Sequence, residues 1–226
     1  MHGIVKNVFF LSMLLMALLI QNSCLSESNF ITYDELKSLL NDTDAMENTT
    51  VVDVRAQSEW AVGSIPNAVN IECETFIDQF GRLKDGGEAL TSIVTIKENK
   101  MVIYGSGSGS GNARLFASKA VQLGYNDVKF YEGGIADWRE VHGDYLWITY
   151  EGFRQWYDTK CPFDDGANYL VDVHPPSLYI DYGHIPGAIN IMSTYFASLD
   201  PGSITDIQDI ITNKKAKIVF YCVGAT

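Results

Sequence analysis

Cysteine, basic charge and long apolar runs are all scarce in this chain, and each scarcity closes off a class of function. Four cysteines and four histidines are spread over 226 residues. They form no C-x-x-C pair and no Cys/His cluster, so no metal site can be drawn from them. Sixteen Lys and Arg stand against 28 Asp and Glu, a formal net charge of −12. A field of that sign repels phosphate backbones, which argues against nucleic acid as a partner and describes a solvated acidic surface. The most extended apolar run, Val8 to Ile20, is shorter than a membrane-spanning helix needs.

That run reads as an export signal. Lys6 precedes it and Gln21-Asn22-Ser23-Cys24 follows it, giving a charged start, a short apolar centre and a small residue at a cleavage position. Ser23-Cys24 also resembles the end of a bacterial lipobox, at which Cys24 would be lipidated, with Gln21 standing where an aliphatic residue is usual. Lipidation of Cys24, ordinary cleavage and an uncleaved anchor are the three alternatives. Export to the periplasm or cell envelope is the expectation, with a membrane tether where Cys24 carries lipid. Exposed thiols tend to pair in an oxidising compartment. A Cys73–Cys161 disulfide and two inert, partly buried thiols are the competing readings, and the second is the simpler.

Apolar residues make up 46% of the chain, enough for an ordinary core, and the length suits one large domain or two of about 100 residues. An internal repeat decides between them. ITYDELKSLL, from Ile31, returns as ITYEGFRQWY from Ile148. VVDVRAQSEWAVGSIPNAVNI (51–71) returns as LVDVHPPSLYIDYGHIPGAINI (170–191), and MVIYG (101–105) returns as IVFYC (218–222). Two copies of one domain stand in tandem, and Cys222 holds the place of Gly105.

Each copy reads as α/β. Tyr33 to Leu40 has a helix pattern with Thr32 as its N-cap. Val51 to Val54, Met101 to Tyr104 and Val128 to Tyr131 are apolar runs of buried parallel strands, and a turn at Pro66 leads into a short strand ending at Ile71. Helices are expected over Ala113 to Leu123, closed by Gly124, and over Ile135 to Glu140. Strands alternating with helices imply a parallel sheet covered on both faces. In such sheets chemistry gathers at the carboxyl ends of strands, and residues 105 and 222 both fall there.

These residues resemble the rhodanese (sulfurtransferase) family. The D-V-R/H…G-x-I-P-x-A-x-N-I pattern, present twice with a later V-x-Y-C or V-x-Y-G, carries the resemblance over about Asn29 to Thr226. It implies two tandem rhodanese-like domains over 29–145 and 146–226, after a signal and linker over 1–28. In that family the cysteine after this strand attacks the outer sulfur of a donor such as thiosulfate and carries it as a persulfide, which a thiol or cyanide acceptor removes. No metal or organic cofactor is implied.

The nucleophile accordingly falls on Cys222, with Val223, Gly224, Ala225 and Thr226 as the start of its substrate-binding loop. Copy one has Gly105 instead, followed by GSGSGSGNAR, and reads as a non-catalytic scaffold whose ordered loop could hold an anion. Asp53 and Asp172 are expected to fix local hydrogen bonding, with Arg55 as partner in copy one and His174 in its place in copy two. His184 reads as a turn residue, and Trp60, Trp138 and Trp156 as core. Copy two stops four residues past Cys222, so its domain is expected to be incomplete at its C-terminus, and the chain ending at Thr226 is expected to lack sulfurtransferase activity until the remainder of that domain is restored. A non-catalytic anion- or protein-binding module is the alternative function, and a phosphatase with a related Cys loop is a second enzyme class.

Overall fold

The computed structural model describes residues 25–161, 166–181, 184–191, 210–213 and 215–222. The signal-like run Val8 to Ile20, Cys24 and Val223 to Thr226 lie outside the described residues. Among the described residues no helix is long and apolar enough to cross a membrane.

The first unit runs through α1 (Tyr33–Asn41), α2 (Thr43–Met46), β1 (Thr49–Asp53), α3 (Gln57–Ala61), β2 (Ala68–Asn70) and α4 (Cys73–Phe76). It continues with α5 (Glu88–Thr91), β3 (Lys100–Tyr104), α6 (Gly111–Gln122), β4 (Asp127–Tyr131) and α7 (Gly134–Ala136), which widens into a π turn over Asp137–Val141. Helix α8 (Tyr150–Lys160) contains the boundary between two compact units, which falls between Phe153 and Arg154. The second unit holds β5 (Asn168–Asp172), α9 (Pro176–Asp181), β6 (Ile189–Asn190) and β7 (Lys217–Tyr221).

In the first unit the strands form one parallel sheet in the order β2-β1-β3-β4. Successive side chains along a strand point to opposite faces, and both faces are buried. Val52, Met101, Ile103, Val128 and Phe130 pack on one side with Phe76, Phe116 and Ala117. Val51, Val102, Tyr104 and Tyr131 pack on the other with Leu36, Ile65 and Trp138. That double burial is why these strands read as continuous apolar runs rather than alternating ones.

Local signals set the helix ends. Thr32 Oγ1 accepts from the Glu35 N–H at 3.3 Å, while Glu35 Oε2 accepts from the Thr32 N–H at 2.8 Å, a reciprocal capping box. A helix of nine residues is marginal alone; fully buried Leu36 anchors it to the sheet. Gly124, at φ +88°, takes the left-handed turn that stops α6. Trp138 is fully buried, as expected for core. Trp60 departs from that expectation: α3 is largely exposed, and the half-buried indole donates to the Ala68 carbonyl at 3.0 Å.

The second unit repeats this scheme with a parallel sheet β6-β5-β7. Its core includes Leu170, Val171, Ile191 and Ile211. Among the described residues it has three strands where the first unit has four. The sequence repeat is also a repeat of hydrogen bonds. Asn70 Nδ2 donates to the carbonyls of Asp53 and Arg55, and Asn190 Nδ2 donates to those of Asp172 and His174. The Tyr104 hydroxyl accepts from the Ile65 N–H at 3.0 Å, as the Tyr221 hydroxyl does from Ile185 at 3.0 Å.

Tyr104→Phe tests this skeleton. It strips a partner from two fully buried groups, the Ile65 N–H and the Asp53 carboxylate. We expect a loss of about 1–3 kcal/mol in urea denaturation, together with faster hydrogen exchange at the Ile65 amide.

Candidate active site

Asp53 closes β1 with its side chain fully buried. A lone carboxylate there would be costly, and the local sequence surrounds it with donors. Its Oδ1 accepts from the Arg55 N–H at 2.9 Å and from Nε at 3.0 Å. Its Oδ2 accepts from Arg55 Nη2 at 2.6 Å and from the Tyr104 hydroxyl at 2.7 Å. Arg55 Nη2 also reaches the Gly63 carbonyl at 2.8 Å, tying the strand end to the following turn. Burial works against the arginine charge, but the Asp53 contacts outweigh it and raise the guanidinium pKa above its ordinary value. Burial, then Asp53, pushes the Tyr104 pKa far up, so the phenol remains a neutral donor.

One strand over, β3 ends at Gly105 and the Gly/Ser loop begins. The loop is pinned, as its position between strand and helix suggests. Its Gly105 and Ser106 carbonyls accept from the N–H groups of Ile135 and Ala136 at 3.0 and 3.1 Å. Gly134 sits beneath it at φ +59°, where a Cβ would lie 2.4 Å from the Gly105 oxygen. The N–H groups of Ser106, Gly107, Ser108 and Gly109 donate to no protein acceptor among the described residues. Of these residues Ser106 borders a cavity of about 260 Å³, which Arg55, Cys73, Gly105 and Ser110 also line together with the carboxylates Glu59, Glu72 and Glu74. Successive N–H groups of this kind form an anion-binding nest.

Position 105 has no room for a side chain. A Cβ there would stand 2.5 Å from Ser110 Oγ and 2.9 Å from Ala113 Cβ, the latter fixed in the first turn of α6.

Cys73 is the neighbour that sequence reasoning missed. It lies just beyond β2 and lines both this cavity and an adjoining one of about 640 Å³. Its position past the end of the strand next to β1 was the available signal. Burial, reinforced by Glu74, raises its thiol pKa, and Sγ donates to the Asn112 carbonyl at 3.5 Å. None of the described cysteines is in a disulfide: Cys73 is buried, Cys161 half-buried and Cys222 exposed.

In copy two, Cys222 follows β7 immediately, one residue past Tyr221. Asp172, fully buried, is opposite Tyr221 in the β5–β7 register. Its Oδ1 pairs with the His174 N–H at 2.9 Å and with His174 Nδ1 at 2.6 Å. Burial acts to raise the Asp172 pKa; the His174 N–H, Tyr221 and the His174 ring outweigh it and hold the carboxyl below its usual range. Asp172 Oδ2 is buried and makes no hydrogen bond. Burial, with help from Asp172, pushes the Tyr221 pKa up to about 12. His184 is exposed and stacks on Tyr179 at 4.0 Å, in keeping with a turn residue. The loop Val223 to Thr226 lies outside the described residues. Among the described residues no cluster of His, Cys, Asp or Glu is suited to a metal ion.

A twice-repeated parallel α/β unit with its candidate chemistry at the tip of one strand defines the class. The chain belongs to the rhodanese-like domain family, whose model matches residues 32–141 and 153–226. A mouse protein named thiosulfate sulfurtransferase/rhodanese-like domain-containing protein 3 is 32% identical over 127 residues, covering 54% of this chain and 69% of that one. Yeast thiosulfate:glutathione sulfurtransferase is 27% identical over 128 residues, covering 56% of this chain and 88% of that one. Among solved structures, a Bacillus halodurans protein is 28% identical with a TM-score of 0.43, covering 54% of this chain and 78% of that one. A Pseudomonas aeruginosa thiosulfate sulfurtransferase is 18% identical with a TM-score of 0.39, covering 86% of this chain and 38% of that one.

Replacing Gly105 by cysteine should not create a sulfur carrier. Gly105→Cys overpacks the first turn of α6, with an expected cost of about 1–3 kcal/mol in urea denaturation. In a Cys222→Ser background, intact mass after thiosulfate treatment should show no added sulfur on the introduced thiol.

Proposed function

We propose that this chain is a sulfurtransferase of the rhodanese family in which Cys222 carries sulfane sulfur and copy one serves as a scaffold without a nucleophile. The observation that supports it most is the placement of Cys222 at the carboxyl end of β7, at the position that Gly105 holds beside the N–H nest of copy one. Thiols at such positions are activated by nearby N–H groups and positive potential.

The proposed reaction needs no external oxidant or reductant. The Cys222 thiolate attacks the outer sulfur of thiosulfate and forms a new S–S bond. The old S–S bond breaks, and sulfite leaves with its electron pair. The persulfide sulfur then passes to a thiophilic acceptor: cyanide leaves as thiocyanate, and a thiol leaves as its own persulfide. In both cases Cys222 returns as thiolate. The donor and acceptor named here follow from the resemblance and from the names of the mouse and yeast relatives.

A second reading is favoured by one feature of copy one: the N–H groups of Ser106 to Gly109 donate to no protein acceptor among the described residues, and position 105 carries no thiol. Copy one then holds a small anion rather than transferring sulfur. The proposed setting is the periplasm or cell envelope, with a membrane tether through Cys24 if that residue is lipidated.

Two experiments check these points. In a protein whose second domain is complete, thiosulfate should add the mass of one sulfur atom to the peptide containing Cys222, and Cys222→Ser should abolish both this adduct and thiocyanate formation. An adduct that persists in the variant refutes the assignment. Metabolic labelling of cells with a clickable palmitate should mark the wild-type protein and leave Cys24→Ala unmarked. Equal labelling of the two refutes the lipid tether.

A further inference from the structure

The two copies carry different charges at one position of the strand-end network. In copy one, Arg55 grips both oxygens of Asp53 and reaches the Gly63 carbonyl, a permanent cation in a bidentate fork. In copy two, His174 stands there, with its N–H and Nδ1 both against the same Asp172 oxygen. The other oxygen of that buried carboxylate makes no hydrogen bond. A buried carboxylate served on one oxygen alone is unusual and invites a role beyond packing.

His174 and Cys222 leave the sheet from neighbouring strands at the same end. Asp172 is opposite Tyr221, and the Val173 N–H bonds the Tyr221 carbonyl at 3.2 Å. The His174 side chain is 13% exposed, and its ring meets the Tyr221 ring edge-on at 6.4 Å. Their copy-one counterparts, Arg55 and Gly105, line one cavity.

We propose that His174 is a positioning residue of the Cys222 site, a proton-switched charge where copy one has a fixed one, and that its protonation governs how readily the Cys222 thiolate forms. The proposal rests on the reading of Cys222 as the reactive thiol. With His174 protonated, the Asp172–His174 pair is neutral overall and presents its cation at the strand ends. Deprotonation leaves the buried Asp172 carboxylate uncompensated one strand away from the thiolate, which disfavours it. Histidine is the residue type whose charge changes in the physiological range; arginine in copy one cannot make that change.

Among the described residues, the named neighbours of His174 do not duplicate the switch. On β7, Tyr221 stays a neutral phenol through this range, with its pKa up to about 12. From β6, Asn190 offers only an amide, to the His174 carbonyl. From α9, the Tyr179 hydroxyl is engaged by the Ala188 carbonyl, and the exposed His184 stacks on Tyr179. The carboxylates Glu59 and Glu72 of the copy-one cavity correspond in sequence to Leu178 and Met192.

The test is the rate of iodoacetamide labelling at Cys222 in the full chain, read by peptide mass between about pH 5 and 9, for wild type, His174→Gln and His174→Arg. His174→Gln should slow labelling about tenfold near pH 6, a shift of one unit in the thiol. The ratio of the two rates should fall as the pH rises and histidine loses its charge. His174→Arg, which installs the copy-one residue, should restore the acid-side rate and keep it at higher pH. A wild-type to His174→Gln ratio that is constant with pH, whether one or larger, overturns the proposal, because a packing defect carries no titration. Alkylation needs no sulfur donor. A chain with a complete second domain that labels as expected but gains no sulfur from thiosulfate refutes the sulfurtransferase reading alone, and one that gains sulfur with a pH-independent ratio refutes the role of His174 alone.

Discussion

A carboxylate buried at the end of a central strand is the constraint around which each copy is arranged. Asp53 and Asp172 are both fully buried, in places where an unpartnered charge costs several kcal/mol. In copy one the partner tyrosine, Tyr104, comes from the adjacent strand, one residue before position 105, and Tyr221 stands at the same place before Cys222. Each tyrosine also accepts the N–H of Ile65 or Ile185, so the turn into β2 or β6 is set at the same time. Register, turn and the location of the candidate nucleophile are thus consequences of satisfying one acid. A slip of β3 by a single residue would turn Tyr104 to the other face and take a donor from the Asp53 carboxylate.

Copy one satisfies its acid completely, and copy two does so in part. The Arg55 fork spends its donors on Asp53 and Gly63, so it braces the strand end more than it offers charge to a ligand. The shorter His174 covers one oxygen only. The better-braced copy has no thiol at the strand tip, and the copy with the thiol keeps an unsatisfied buried oxygen beside it. Strain and incomplete hydrogen bonding commonly collect where chemistry is done.

Much of this was legible in the sequence because the information is local or repeated. Parallel strands buried on both faces leave continuous apolar runs, Thr32 and Glu35 spell out a capping box, and Gly124 marks a helix end. The repeat alone marks Gly105 and Cys222 as equivalents. Other features depend on distances between segments far apart in the chain. Cys73 joins the Gly105 cavity because β2 lies beside β1, and Trp60 is half-buried because α3 stays at the surface; neither fact has a local pattern. The crowding at position 105 comes from Ser110 and Ala113 and cannot be read from a run of glycines and serines, which would suit a loose linker equally well. That Asp172 Oδ2 makes no hydrogen bond likewise depends on how distant segments pack.

The glycine under the loop has an implication for the history of copy one. Gly134 brings main chain against main chain, and Ala113 closes on position 105 from the other side. A single nucleotide separates glycine codons from cysteine codons, so reversal at position 105 is genetically near. It is sterically far, because the surrounding residues have filled the volume that a thiol would occupy. Any lineage regaining a thiol there would first have to reshape the start of α6, through intermediates that gain nothing from the change. Packing of this kind works as a ratchet: it fixes a division of labour between duplicated domains long after the substitution that began it.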